Sequence, residues 1–251
     1  MHLVVFGANG PTGRLLTRQA LDSAHEVTAV TRHPSSFPFH DARLHVVQGD
    51  ALDAASVREA VAGKDAVLST LGTPYSRRRI TLYSEGTGNI VAAMQQTGVR
   101  RLVCVSSSAT YPVSSPGDGF VFAKVLQPFF IGVVGRTMYD DLRRMETLVS
   151  ESDLDWVIVR PSGLFDTSAV TRYQMAEGHL NVRFTSRADL ADCMLQQASS
   201  ERYLRKALAV ATVEVKPSML KLLWREGISK SLHRPRSEAG APATGAAVTQ
   251  H

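Results

Sequence analysis

The chain has 251 residues, 44% of them hydrophobic and 20% charged, with a formal net charge of +5. That length and apolar share suit one sizeable α/β domain and exclude a disordered or disulfide-built chain. The two cysteines, Cys104 and Cys193, sit in apolar stretches without disulfide or metal-ligand spacing, so no metal is expected and buried thiols in a reducing compartment are.

Strand and helix signals alternate along the chain. "LVVFG" (3–7) reads as a buried strand, followed by Leu15, Leu16, Ala20 and Leu21 at helical spacing. "EVTAVTR" (26–32) and "LHVVQGD" (44–50) are further strands. "SVREAVAG" (56–63) is a short helix stopped by Gly63, where a left-handed cap costs little. "DAVLSTLG" (65–72) is a fourth strand, and "EGTGNIVAAMQQTG" (85–98) a helix ending at Gly98. "RLVCVSSS" (101–108) is a fifth strand. The helix at 137–152 carries an apolar stripe of Met138, Leu142, Met145, Leu148 and Val149, and "DWVIVRP" (155–161) is a sixth strand. Continuous apolar runs mark strands covered on both faces. Repeated strand–helix units with right-handed crossovers then predict a Rossmann-type, doubly wound, mainly parallel sheet with helices on both faces.

Beyond residue 161 the pattern loosens. A helix is expected at 186–199, with Ser186 as its cap and Asp189 three residues on. "KALAVA" (206–211) reads as a last strand. Residues 1–225 are expected to form a single domain with substrate-site elements in 108–185, and 226–251, small and polar, a disordered tail. The strongest apolar stretch, 119–135, contains Lys124, Gln127 and Pro128 and is too short to span a bilayer. No interleaved basic and aromatic stripe argues for nucleic acid. The opening "MHLVVFG" lacks a basic leader, so a cytoplasmic location is expected, as a monomer or homodimer.

The chemistry concentrates in "VVFGANGPTGR" (4–14). Gly7, Asn9, Gly10, Pro11, Thr12, Gly13 and Arg14 lie between the first strand and the first helix. Glycines permit positive φ and close backbone approach, and a helix N-terminus attracts anions. The combination suits the pyrophosphate of a dinucleotide. A site for NAD would end its second strand on a carboxylate. Here that strand ends in Thr31, Arg32 and His33. Arg32 as a two-pronged binder of a 2′-phosphate, with Arg14 beside it, favours NADP(H). Ligands lie outside the carboxyl ends of parallel strands. Those ends supply Asp50 and Ala51, then Leu71, Gly72 and Thr73, then Ser106 and Ser107, then Arg160, Pro161, Ser162 and Gly163. Asp50 has two readings: contact with the adenine amino group, or a cap for the next helix.

"GANGPTGR", "VVQGDALD", "VAGKDAVLSTLG", "SEGTGNIVAAM" and "SSSA" resemble the atypical short-chain dehydrogenases with an NmrA-like NAD(P)H-binding fold, of the biliverdin reductase B and flavin reductase type. The resemblance covers residues 2–198 and implies NADPH and hydride transfer to flavins or tetrapyrroles. It assigns Ser107 to the serine after the fifth strand. The reductase's histidine falls on Gly163, so the resemblance does not carry that residue's role to this chain. Residues 112–136 form an apolar insertion, read as a substrate lid, a subunit contact or a plain core segment. The Tyr-x-x-x-Lys of typical short-chain dehydrogenases appears only as Tyr139 and Arg143, one helical turn apart. Arginine cannot shuttle the lysine's proton, and Tyr111 competes as the acid.

The expected function is an NADPH-dependent reductase of an apolar carbonyl, enone, quinone or flavin-like small molecule. The catalytic candidates are Ser107, Tyr139, Tyr111 and Arg143. The alternatives are a non-catalytic NADP(H)-sensing regulator and a redox-neutral epimerase or isomerase.

Overall fold

The structure is a computed structural model that describes residues 1–76, 78–111, 135–182 and 184–215. The expected tail (226–251) and positions 112–134 of the apolar insertion lie outside the described residues. The described residues belong to one compact unit, Met1–Lys216.

In chain order the elements are β1 (His2–Phe6), α1 (Pro11–Asp22), β2 (Glu26–Thr31), β3 (Leu44–Gln48), α2 (Ala54–Val61), β4 (Ala66–Ser69), α3 (Leu82–Thr97) and β5 (Arg101–Val105). Then follow α4 (Arg136–Glu151), β6 (Asp155–Pro161), β7 (Gly163–Phe165), β8 (Tyr173–Glu177), β9 (Phe184–Ser186), α5 (Arg187–Gln197) and β10 (Lys206–Thr212). The main sheet has the order β3-β2-β1-β4-β5-β6-β10-β8. Its pairs are parallel except the edge strand β8, which runs antiparallel to β10. This is the doubly wound Rossmann sheet the sequence predicts. The strand order reverses between β1 and β4, the point at whose carboxyl ends open α/β sheets bind their ligands.

Helices cover both faces because the strands are apolar on both. On one face Val4, Phe6, Val67, Leu102 and Ile158 pack under Val57, Ile90, Met94, Leu142 and Met145 of α2, α3 and α4. On the other, Leu3, Val5, Leu68, Val103 and Val157 meet Leu16 and Leu21 of α1 and Leu190 and Met194 of α5. Each such buried side chain contributes roughly 1.5–3 kcal/mol. Cys104 and Cys193 are free and buried. Gly63 and Gly98 adopt φ of 70° and 76°, as expected of helix stops.

Several expectations need correction. β4 and β5 end at Ser69 and Val105, three residues short of the sequence reading. The chain leaves the sheet there, because residues 70–73 and 106–110 turn to serve the crevice. The loose region after residue 161 contains three strands besides the expected last one, β10. β7 and β9 pair with each other in a separate two-stranded sheet. They are three residues long, too short to show alternation, and polar bonds hold them. Ser162 N–H donates to Thr185 Oγ1 (3.0 Å), whose hydroxyl donates to Val210 O (2.7 Å). Ser186 does cap α5, accepting from Asp189 N–H at 3.0 Å. The Asp189 carboxylate does not reach back to Ser186 to complete a capping box. Fully buried, it accepts from Thr171 N–H (2.6 Å), the Thr171 hydroxyl (2.8 Å) and the Thr212 hydroxyl.

Candidate active site at the β1–β4 crevice

The glycine turn sets the geometry. Gly7 takes φ 73°, and Gly10 N–H closes the turn on Gly7 O at 3.0 Å. α1 starts at Pro11, whose missing N–H is harmless in the first turn. Gly10, its N-cap, supplies no side-chain bond, so the first-turn N–H groups point outward uncapped. Such groups are a ready anion site. A methyl at Gly13 would lie 2.2 Å from Gly7 O, and one at Gly7 would lie 2.6 Å from Thr70 O. Only glycine permits this turn to fold against itself and against the end of β4. The cradle therefore fits a pyrophosphate on geometry alone.

The cations beside it differ. Arg14 donates from Nε (3.0 Å) and Nη2 (2.8 Å) to Asn9 Oδ1. Asn9 Nδ2 donates to Ser36 Oγ (2.8 Å), and that hydroxyl donates to His33 O (2.8 Å). Turn and post-β2 segment are thus joined by one polar chain. Arg32 follows the last residue of β2, is exposed, and has no partner among the described residues.

At β3, Asp50 Oδ1 accepts from Leu52 N–H at 3.0 Å. The cap of α2 is Asp53, not Asp50. This removes the capping reading of Asp50, which sits one turn too early. Ala51 is buried, and its carbonyl accepts from Asn89 Nδ2 at 2.9 Å. Beyond β4, Thr70 donates to Phe6 O (3.0 Å), Leu71 and Gly72 follow, and Thr73 N–H reaches the Tyr83 hydroxyl at 3.3 Å.

At β5, Ser106 is buried and its hydroxyl meets that of Thr110 at 3.2 Å. Ser107 Oγ accepts from Ala109 N–H at 3.2 Å, which leaves its O–H free to donate. Tyr139 and Arg143 share a face of α4 but turn to different partners. Arg143 donates to Thr110 O (3.0 Å) and Asp140 (2.8 Å). The Tyr139 hydroxyl lies 3.5 Å from that of Tyr75. Burial pushes the Tyr139 phenol well above its ordinary range, and the Tyr75 and Tyr83 phenols push the same way.

Arg160 is not free either. It forks onto the buried Glu146 (3.0 and 2.5 Å), and its guanidinium lies 4.7 Å from the centroid of the Tyr111 ring. Pro161 is buried. Ser162 fastens the next segment through Val182 O (3.0 Å), and Gly163 opens β7 at the surface.

A family model for NAD(P)H-binding proteins matches residues 7–201. The chain belongs to the NAD(P)H-binding family.

This NAD(P)H-binding chain is similar to an uncharacterised protein of Mycobacterium tuberculosis, 27% identical over 247 residues, covering 96% of this chain and 24% of that protein. It is also similar to a 3-beta-hydroxysteroid dehydrogenase of Mycolicibacterium neoaurum, 28% identical over 206 residues, covering 72% and 54%. The chain thus spans about a quarter to a half of the length of these relatives. A short-chain dehydrogenase/reductase of Veillonella parvula in complex with NADP shares the fold at TM-score 0.70 and 19% identity, over 86% of this chain and 98% of the other. An anaerobillin reductase of Escherichia coli O157:H7 shares it at TM-score 0.66 and 23% identity, over 87% and 100%. Among the described residues no helix is long and apolar enough to cross a membrane.

Sequence reasoning missed four residues of this candidate site. Ser36 and Asn89 carry no motif signal, because their partners lie 27 and 38 residues away. Tyr75 and Tyr83 flank the β4 loop, and two tyrosines so close to a strand's carboxyl end were the available cue.

Proposed function

We propose that this chain is an NADPH-dependent reductase that delivers hydride to an apolar carbonyl, enone, quinone or flavin-like acceptor. One observation carries the choice of coenzyme. The open anion cradle at Gly10–Gly13 stands beside a second strand followed directly by Arg32, which has no partner among the described residues, with no carboxylate at that position to receive ribose hydroxyls. Oriented N–H groups and the α1 dipole hold the pyrophosphate. Arg32 forks onto the 2′-phosphate, while Ser36 and Arg14 frame the same corner. Gly72 and Thr73 run along the ribose and phosphates. Ser107 donates its free O–H to the acceptor oxygen or the nicotinamide amide, and a nearby phenol supplies the proton. The bound nicotinamide supplies the hydride. Similarity to a steroid dehydrogenase supports an apolar alicyclic acceptor.

Calorimetry with NADPH and NADH tests the coenzyme. NADPH is expected to bind tightly, and Arg32→Ala to weaken it by about 10–100-fold, the loss of one or two charge-assisted bonds. NADH affinity should not change. Preference for NADH in the wild type overturns the assignment. Steady-state NADPH oxidation against cyclic ketones, enones, quinones and flavins tests the reaction.

A second reading, a non-catalytic NADP(H) sensor, is favoured by the diversion of Arg143 to Thr110 and Asp140, which leaves Tyr139 without a cationic partner among the described residues. A partner protein released on adding NADPH, together with no turnover of any acceptor, would decide for it. Product formed without net NADPH consumption would point instead to a redox-neutral isomerase.

A further inference from the structure

Three phenols converge on one loop beyond the carboxyl end of β4. The loop leaves β4 through Gly72 and Thr73 and carries Tyr75, which is 56% exposed. It is framed on both sides. Thr73 N–H donates to the Tyr83 hydroxyl at 3.3 Å, and Thr137 of α4 donates to Ser76 O at 2.7 Å. The frame itself is fixed, because the buried Asp141 of α4 accepts from Tyr83 N–H at 2.8 Å and so ties α3 to α4. Tyr139 projects from α4 toward this loop and is 8% exposed, with its hydroxyl 3.5 Å from that of Tyr75. That distance is long for a hydrogen bond, as polar contacts in unliganded sites often are before substrate tightens them.

Access divides the two roles. A proton donor must touch the acceptor oxygen and be reprotonated after each turnover. Tyr139 is enclosed, and burial holds it firmly in the neutral form. It can donate a hydrogen bond but is badly placed to release its proton. Tyr75 stands three residues beyond Gly72, beside the reversal of strand order where ligands lie, and is open to water. Tyr111 is less suited, since its ring is held against the guanidinium of Arg160.

We infer that Tyr75 is the catalytic acid of the reductase and that Tyr139 is a positioning residue that donates a hydrogen bond to it. This rests on the reductase reading. In the step, the acceptor carbon gains hydride from the bound reduced nicotinamide and the C=O π pair moves to oxygen. The oxygen takes the Tyr75 proton. The resulting phenolate accepts a hydrogen bond from Tyr139 and regains its proton from water. Each turnover consumes one reduced nicotinamide, one acceptor and one proton, and forms the oxidised coenzyme and the alcohol. Hydride addition to a saturated ketone leaves an alkoxide, which needs the acid. Addition to a quinone leaves a stabilised phenol-type oxyanion, which needs it little.

The test uses the full chain as wild type, Tyr75→Phe, Tyr139→Phe and the double variant, with NADPH, cyclohexanone and a para-quinone. Tyr75→Phe is expected to lower kcat on cyclohexanone by about 100-fold, the low end for a positioned acid, with little change on the quinone or in KM for NADPH. Tyr139→Phe should lower kcat on the ketone about 10-fold, and the double variant should be no slower than Tyr75→Phe, since the residues act as one unit. A measurement without turnover accompanies it. In protein labelled at tyrosine Cζ with carbon-13, cyclohexanone with oxidised NADP should shift the Tyr75 resonance, and Tyr139→Phe alone should also shift it. Unchanged ketone turnover in Tyr75→Phe, additive losses in the double variant, or a Tyr75 resonance indifferent to both changes overturns the inference while the reductase reading stands. A wild type that binds NADPH but reduces neither acceptor overturns that reading, and the catalytic claim with it.

Discussion

The half of the chain through β5 and the segment from Pro161 to Thr212 reach order by different means. The first is built on continuous apolar strands and a backbone turn that only glycine can make. Its cradle needs no side chain at all in its first-turn N–H groups. The second relies on buried polar atoms. Asp189, Thr171, Thr185, Ser186 and Thr212 tie β9, α5 and β10 to the loop before β8. Apolar burial is non-directional and leaves a periodic trace in sequence. A buried hydrogen-bond network is directional, and its partners are distant in the chain.

The contrast can be broken in order of expected effect. Gly13→Ala should be the most damaging, because its methyl meets backbone at 2.2 Å that cannot yield. A loss on the order of 3–4 kcal/mol is expected, with cofactor binding abolished, read by urea unfolding and calorimetry. Asp189→Ala comes next. It strands three donors in the interior, at about 1–3 kcal/mol for an unpaired buried group, so a total of roughly 3 kcal/mol is expected. Amide exchange should accelerate first in 163–186, while NADPH affinity falls less than about tenfold. Equal acceleration around Gly7–Gly13 would show that the two regions are not independent.

Alkaline pH acts on both. Burial raises Cys104 and Tyr139 in the first region and pushes Cys193 up to about 12 in the second. Burial also raises Tyr173, with help from its bond to Asp192. The folded state then keeps protons that the unfolded chain releases. Stability is full below the ordinary cysteine value of 9.0 and declines as pH rises through it and through the tyrosine value of 10.0. The enclosed thiols cost up to about 1.4 kcal/mol each per pH unit, measured as the fall in the urea midpoint between pH 8 and pH 10. Gly63→Ala should have the smallest effect, about 1 kcal/mol, since its φ of 70° is strained for alanine but nothing lies within 4 Å. The ratio of Gly13 to Gly63 losses separates close approach from conformational strain.

Much of the candidate site's local geometry was legible beforehand because it is local. The turn from Gly7 to Arg14 lies in one stretch, and the strand ends follow from periodicity. What escaped is contact between residues far apart. Arg143 and Tyr139 are neighbours on a helix face, yet packing sends one to Thr110 and the other to Tyr75. Arg160 stands at a strand end, where a ligand contact was expected, but the fork to Glu146 holds it.

By itself the sequence determined the parallel, doubly wound sheet and the place of the glycine turn proposed to cradle an anion. Apolar periodicity and the steric tolerance of glycine are properties of neighbouring residues. Only the tertiary structure decided which cation near the end of β2 has no partner among the described residues, which serine accepts and which phenol is enclosed. Those outcomes depend on partners dozens of residues away, brought together when the two apolar layers close over the sheet.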